Sequence, residues 1–297
     1  MAQLKDASTS RDSFKEAPLT VPFITSLKGR RKISALTAYD APTARLLDAA
    51  GIDVLLVGDS VEMVVYGARD TLGATLDRMV AHAGAVSGAV KRALVVGDMP
   101  YLTYHTTPED AVRNAARFII EGGCKAVKLE GGAQRLGMIA ALLNAEIPVM
   151  GHLGLTPQSV NALGGYKVQG KRPAEADRIV DDAQRLAEAG IFALVLECVP
   201  ADLAARITES IGVPTIGIGA GAACDGQILV VNDMLGLEAP GGRAPRFVRR
   251  YADLGAVITG AVSQYIADVA DGSFPSEAES YLVEENGTAA LPHRIYG

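Results

Sequence analysis

The chain has 297 residues, 28 basic against 34 acidic side chains and a formal net charge of −6, with 49% hydrophobic and 21% charged residues. That balance describes a globular protein and excludes a disordered or fibrous one. It also argues against a nucleic-acid partner, whose phosphates call for a basic face. With 6 Phe, 9 Tyr and no Trp, the core must be built from Ala, Val, Leu and Ile. The 3 cysteines, Cys124, Cys198 and Cys224, form no C-x-x-C pair, so neither a disulfide framework nor a zinc site is expected. No apolar run approaches the roughly 20 residues of a membrane span. The opening stretch MAQLKDASTSRDSFKEAP carries acidic residues and no apolar leader segment. These features predict a cytoplasmic protein with a flexible arm over 1–18, a body over 19–281 and a tail over 282–297.

In chain order, strands are predicted at ISALTAYD (33–40), DVLLVGDS (53–60), ALVVGDMP (93–100) and AVKLEGG (126–132). They continue at PVMGHLGL (148–155), ALVLECVP (193–200), PTIGIGAG (214–221) and QILVVND (227–233). Each is a short run crowded with Val, Ile and Leu, the pattern of a strand covered on both faces. Helical spacing fills the gaps. TPEDAVRNAARFIIEGG repeats Ala111, Ala115 and Phe118 on one face, with Thr107 as cap and Pro108 in the first turn. PAEADRIVDDAQRLAEAG repeats Ile179, Ala183 and Leu186. Strands that alternate with helices imply parallel pairing, because each parallel pair needs a crossover. The expected fold is therefore α/β, a single-domain (β/α)₈ TIM barrel. The AACDG link before the last strand is too short for a full helix. An open doubly wound sheet is the alternative, but no G-x-G-x-x-G turn follows an early strand. The segment 245–272 reads as one or two closing helices.

Polar groups stand at nearly every strand's C-terminal end: Asp40, Asp59 with Ser60, Asp98, Lys128 with Glu130, His152 and Glu197. In a barrel this is the face on which active sites are assembled. One such Asp alone is readily explained as a helix cap; the set is harder to explain by stability, since buried carboxylates are costly unless paired or bound to metal. Asp59, Asp98 and Glu130 come from neighbouring strands and repel one another unless a cation sits among them. Their hard oxygens select Mg²⁺ or a similar ion rather than zinc. Lys128 lies two residues from Glu130, so both share one strand face, where the ammonium suits an anionic substrate. Glu197 sits in the apolar run FALVLECVP, a setting for a general base or for a buried structural pair. His152 reads equally as a site residue or as a satisfied strand-end histidine. The basic stretch YKVQGKR reads as a solvated loop, and GIGAG and GG as tight turns.

Seven stretches carry a resemblance: LTAYD, LLVGDS, VKLEGG, GHLGLTPQSVN, GGYKVQG, LVLECVP and GIGAGAACDGQILV, in order within about 33–281. On these the chain resembles the ketopantoate hydroxymethyltransferase family. The resemblance implies a barrel of the phosphoenolpyruvate mutase/isocitrate lyase-like superfamily, assembled as a homo-oligomer, commonly a homodecamer. It implies transfer of a hydroxymethyl group from 5,10-methylenetetrahydrofolate to 3-methyl-2-oxobutanoate, giving 2-dehydropantoate for pantothenate biosynthesis. Matched by motif, Asp59 and Asp98 would be direct ligands of one Mg²⁺ per subunit, with Glu130 the third metal-site carboxylate. Asp59, Ser60, Asp98 and Lys128 would hold the keto acid, Glu197 would accept the proton, and His152 matches a family site position. The chain departs from the family pattern at Glu62, Ala68, Arg69 and Gly73, all in the loop after the second strand. Lyases of the same superfamily use a cysteine in a K-x-x-C-G-H type loop, a setting that none of the three cysteines here has.

Overall fold

The computed structural model describes residues 17–237 and 244–281. Most of the expected N-terminal arm and all of the expected C-terminal tail lie outside the described residues. The elements run α1 (Val21–Ser26), β1 (Ile33–Thr37), α2 (Ala41–Ala49), β2 (Val54–Val57), α3 (Val61–Val64), α4 (Leu76–Ser87) and β3 (Leu94–Asp98). Next come α5 (Pro108–Ile120), β4 (Ala126–Lys128), α6 (Leu136–Asn144), β5 (Val149–Gly154), α7 (Val160–Leu163), α8 (Pro173–Glu188) and β6 (Ala193–Glu197). The order closes with α9 (Ala201–Ser210), β7 (Thr215–Ile218), β8 (Gly226–Leu229), α10 (Val231–Leu235) and α11 (Leu254–Asp271). The described residues up to Met234, with Ala244–Arg249, form one compact unit; those from Leu235 on, Ala244–Arg249 excepted, form another that contains α11.

The strands make a closed parallel barrel in sequence order, with β8 returning to pair with β1 from Ile33↔Gly226 to Leu36↔Leu229. No helix occupies the β7–β8 link, as its length requires. All eight predicted strands exist, but they stop short of the predicted ends. The last is shifted: the run read as 227–233 is a strand only to Leu229, and Val231 onward is helical. Thr107 caps α5 by accepting a hydrogen bond from the Asp110 amide at 3.1 Å, as predicted.

Alternate residues of each strand point inward. Ile33 and Ala35, Val54 and Leu56, Leu94 and Val96, Ala193 and Val195 pack with Met150, Ile216 and Ile228 into one buried cluster. Short α1 stoppers the N-terminal end of the barrel: Ile24, fully buried, joins this cluster together with Leu19 and Leu27. Charge fixes the stopper in place. Arg31 donates from both terminal nitrogens to Asp53 at 2.8 and 2.9 Å, and the Ser34 amide donates to the same carboxylate at 3.0 Å. Lys28 donates to Asp225 at 2.9 Å, which also accepts from the Thr215 amide at 3.0 Å. Burial works against ionisation at both aspartates, yet these donors hold both carboxyls below the ordinary range.

Two outcomes follow. Ile24→Ala should lower unfolding free energy by about 2–5 kcal/mol, read from urea melts, because the cavity left in a closed barrel cannot collapse. Because the folded pKa values of Asp53 and Asp225 are depressed, their stabilisation is present above the unfolded value of about 4 and is lost as pH falls through the folded values. Asp53→Asn should therefore be less stable than the unmodified protein at pH 7, and the gap should narrow in melts taken at progressively lower pH, below about 4.

Candidate active site

The inward parity that builds the core continues to the opposite end of the barrel and changes chemistry there. Val96 is followed two residues on by Asp98, Ala126 by Lys128 and Glu130, Met150 by His152, and Val195 by Glu197. Asp98 and Lys128 are direct partners across β3 and β4. Asp59 follows β2, and its amide donates to Asp98 Oδ2 at 3.2 Å. These side chains line a cavity of about 590 Å³.

Lys128 is buried and donates to Asp98 Oδ1 at 2.7 Å, with Glu130 Oε1 3.8 Å away. Burial disfavours its charge, but Asp98, Glu130 and Asp59 together raise its pKa, so it stays an ammonium. Asp59 is held well above the ordinary carboxyl range, first by burial and then by the charges of Asp98 and Glu130. Asp98 is raised for the same first reason, with Lys128 opposing. Glu130 goes the other way: burial is outweighed by His152 and Lys128, and its pKa is lowered. His152 stands between two carboxylates, Nδ1 3.5 Å from Glu130 Oε1 and Nε2 3.3 Å from Glu197 Oε2. Burial and Lys128 disfavour its cation, yet the two glutamates push its pKa up to about 9. Glu197 is the member open to the cavity, its side chain 17% exposed. Ser60 lines the cavity as well, its hydroxyl 2.8 Å from that of Tyr39.

One backbone contact sets the position of Glu197. Gly154 ends β5 with φ +95, and a Cβ there would lie 2.2 Å from the Glu197 carbonyl oxygen. The next amide, Leu155, donates to that oxygen at 2.8 Å. Only glycine permits both the left-handed backbone and this approach.

The predicted site residues Asp59, Ser60, Asp98, Lys128, Glu130, His152 and Glu197 are thus brought together. Asp40 is not among them. It caps α2, accepting from the Thr43 amide at 2.7 Å, and is exposed, which is the ordinary role of a strand-end aspartate. The stretch read as a solvated loop is exposed at Tyr166, Lys167, Val168, Lys171 and Arg172, and the first three of these also line the cavity. Sequence reasoning also passed over Gln158, Tyr104, Cys198 and Phe247. Gln158 is buried and bonded to the Asp59 and Glu130 carboxylates, Tyr104 is buried and bonded to Gln158 and to the Glu130 amide, while Cys198 and Phe247 line the cavity. Only Gln158 carried a signal, as a polar residue in the stretch GHLGLTPQSVN. Burial beside Glu197 pushes the Cys198 thiol up to about 11, so it is not a thiolate nucleophile. Of the departures, Glu62 is buried and paired with Arg78 at 2.8 Å, and a Cβ on Gly73 would lie 3.4 Å from Glu62 Oε2. Two of the departures are therefore neighbours, and neither lines the cavity.

A model of the ketopantoate hydroxymethyltransferase family matches residues 18–277. The chain belongs to this family. It is 53% identical over 270 residues to 3-methyl-2-oxobutanoate hydroxymethyltransferase of Syntrophomonas wolfei, covering 91% of this chain and 97% of that protein. The enzyme of the same name from Thermoanaerobacter sp. is 54% identical over 258 residues, covering 87% and 93%. Among solved structures, phosphonopyruvate hydrolase aligns with a TM-score of 0.57 at 14% identity, over 88% of this chain and 93% of that one. A 2,3-dimethylmalate lyase of the PEP mutase/isocitrate lyase superfamily aligns at 0.55 and 17%, over 89% and 92%. The expected barrel is met, and the solved structures it aligns with share that fold. Family membership makes the chain a transferase of the hydroxymethyltransferase kind. Among the described residues, no helix is long and apolar enough to cross a membrane.

Gly154→Ala should leave the protein folded but cut turnover by about 100-fold, because displacement of the Glu197 backbone by even ~1 Å misplaces its carboxylate. Steady-state kinetics with circular dichroism on the same sample would check both halves.

Proposed function

We propose that the chain moves a hydroxymethyl group from 5,10-methylenetetrahydrofolate to 3-methyl-2-oxobutanoate, with Glu197 as the proton acceptor. The observation that carries this reading is the placement of Glu197. It faces the cavity on one side and is braced by His152 on the other, opposite the buried carboxylates and Lys128.

The donor set suits a divalent cation. Glu130 Oε1 is buried without a hydrogen-bond partner, and the like charges of Asp98 and Glu130 hold Asp59 in tension. Among the described residues, no three acidic, histidine or cysteine side chains form a ready-made metal cage. Mg²⁺ does not need one, since it takes one or two carboxylates and completes its shell with water and substrate oxygens. Asp59 and Asp98 would hold it directly, with Glu130 the third carboxylate of the site. Bound there, Mg²⁺ supplies positive charge for the oxygens of the 2-oxo acid as C3 loses its proton.

The remaining work falls to the protein's own groups. Lys128 neutralises the acid's carboxylate, and Asp59, Ser60 and Asp98 orient the acid. The Glu197 carboxylate takes the C3 proton, and the His152 imidazolium keeps that carboxylate turned toward the cavity. The methylene carbon of the donor first parts from one nitrogen to give the iminium at the other, and the C3 carbanion attacks that carbon. Water then displaces the second nitrogen as the hydroxyl; the two freed nitrogens take up the C3 proton held by Glu197 and one proton of the water. A cavity of about 590 Å³ exceeds what a five-carbon acid fills. The aromatic faces of Tyr166 and Phe247 support a flat donor ring in the remainder. The apolar stripe Ile258, Val262, Tyr265 and Val269 along α11 fits an oligomer, and the family resemblance makes that oligomer a homodecamer.

The decisive measurement is NMR of the C3 hydrogen of 3-methyl-2-oxobutanoate in D₂O. The protein with Mg²⁺ should exchange it, and Glu197→Gln should slow exchange by about 10²–10⁴-fold. Exchange undiminished in Glu197→Gln would remove the residue from its role.

A further inference from the structure

Behind the carboxylates lies a residue that does not line the cavity and yet touches two of them, one through its side chain and one through its main-chain amide. Gln158 sits in the turn Pro157–Ser159 after β5 and is 4% exposed. Its Nε2 donates to Asp59 Oδ2 at 2.9 Å and to the Met99 carbonyl at 3.0 Å. Its backbone amide donates to Glu130 Oε2 at 3.1 Å. Tyr104, fully buried, donates its hydroxyl hydrogen to Gln158 Oε1 at 2.6 Å and accepts from the Glu130 amide at 3.1 Å.

The direction of every bond is determined. A carbonyl oxygen can only accept, so the end of the amide that faces Met99 is the nitrogen, and this same nitrogen meets Asp59. The Tyr104 oxygen already accepts from Glu130, which leaves its hydrogen for Gln158 Oε1. The amide cannot flip without setting Oε1 against both the Met99 carbonyl and the Asp59 carboxylate. Each polar atom of the side chain is satisfied, and two carboxylates on different strands are gripped by one residue.

We propose that Gln158, held by Tyr104, is the positioning residue that sets the distance and rotamers of Asp59 and Glu130 for divalent-cation binding. This rests on the metal reading above. The grip acts before any substrate arrives: with one oxygen of each carboxylate engaged by Gln158, the other is turned toward the cavity. Outer partners of this kind usually contribute 10–100-fold to metal affinity.

The test is Mn²⁺ titration of the full-length protein without substrates, followed by electron paramagnetic resonance, with thermal melts on the same samples. Gln158→Leu should weaken Mn²⁺ binding by about 10–100-fold. Tyr104→Phe, which keeps the ring and removes the hydroxyl, should shift it in the same direction by less. Ile24→Ala serves as the control: it destabilises the barrel far from the site and should leave Mn²⁺ affinity unchanged. If Gln158→Leu lowers the melting temperature as Ile24→Ala does but binds Mn²⁺ like the unmodified protein, Gln158 is a structural tie only and the proposal is overturned. If the unmodified protein itself binds no Mn²⁺, the metal reading fails and takes this proposal with it.

Discussion

The structure depends on an imbalance of buried charge. Asp59, Asp98 and Glu130 are buried at one end of a barrel with the Lys128 ammonium and the His152 imidazole buried beside them. In a low dielectric, each unpaired carboxylate is costly, and like charges drive protons onto whichever group is least supported. The opposed shifts of Asp59 and Glu130 record that division. Glu130 has His152 and Lys128 beside it and holds its charge; Asp59 faces two other carboxylates and yields. A site so arranged is short of positive charge, and the chemistry assigned to it uses that shortage.

The rest of the fold serves to keep those groups from moving. The apolar layers of the barrel interior give them a rigid floor, and the two-residue period carries each strand's inward face from core to site without a break. Gly154 brings β5 close enough to β6 to fix the backbone of Glu197. The ion pairs of Arg31 and Lys28 anchor the stopper at the far end, so the strands are held at both rims.

Much of this was legible in the sequence because parallel strands buried on both faces leave an unmistakable apolar signature, and because a charged residue at the end of such a run has few places to go. Strand ends were read too long, since the runs continue into the loops that carry the polar groups. Val231 looked like strand because Val-Val favours extended backbone, but it begins a helix after the barrel has closed. Asp40 showed the limit of position alone: it stands where Asp59 and Asp98 stand, yet its neighbour Thr43 offers an amide, and the local cap wins. Gln158, Tyr104 and Phe247 sit in irregular segments with no period to betray them. Their place follows from long-range packing, which spacing along one chain does not encode.

The stopper has a bearing on traffic. With Ile24 wedged into one end of the barrel, the chamber lined by Lys128, Tyr166 and Phe247 has no way through at its floor. On the proposed function, the keto acid on the floor beside Lys128 would enter ahead of the folate and leave after it. A dead-end room of this design imposes a queue on its occupants, whatever their individual affinities.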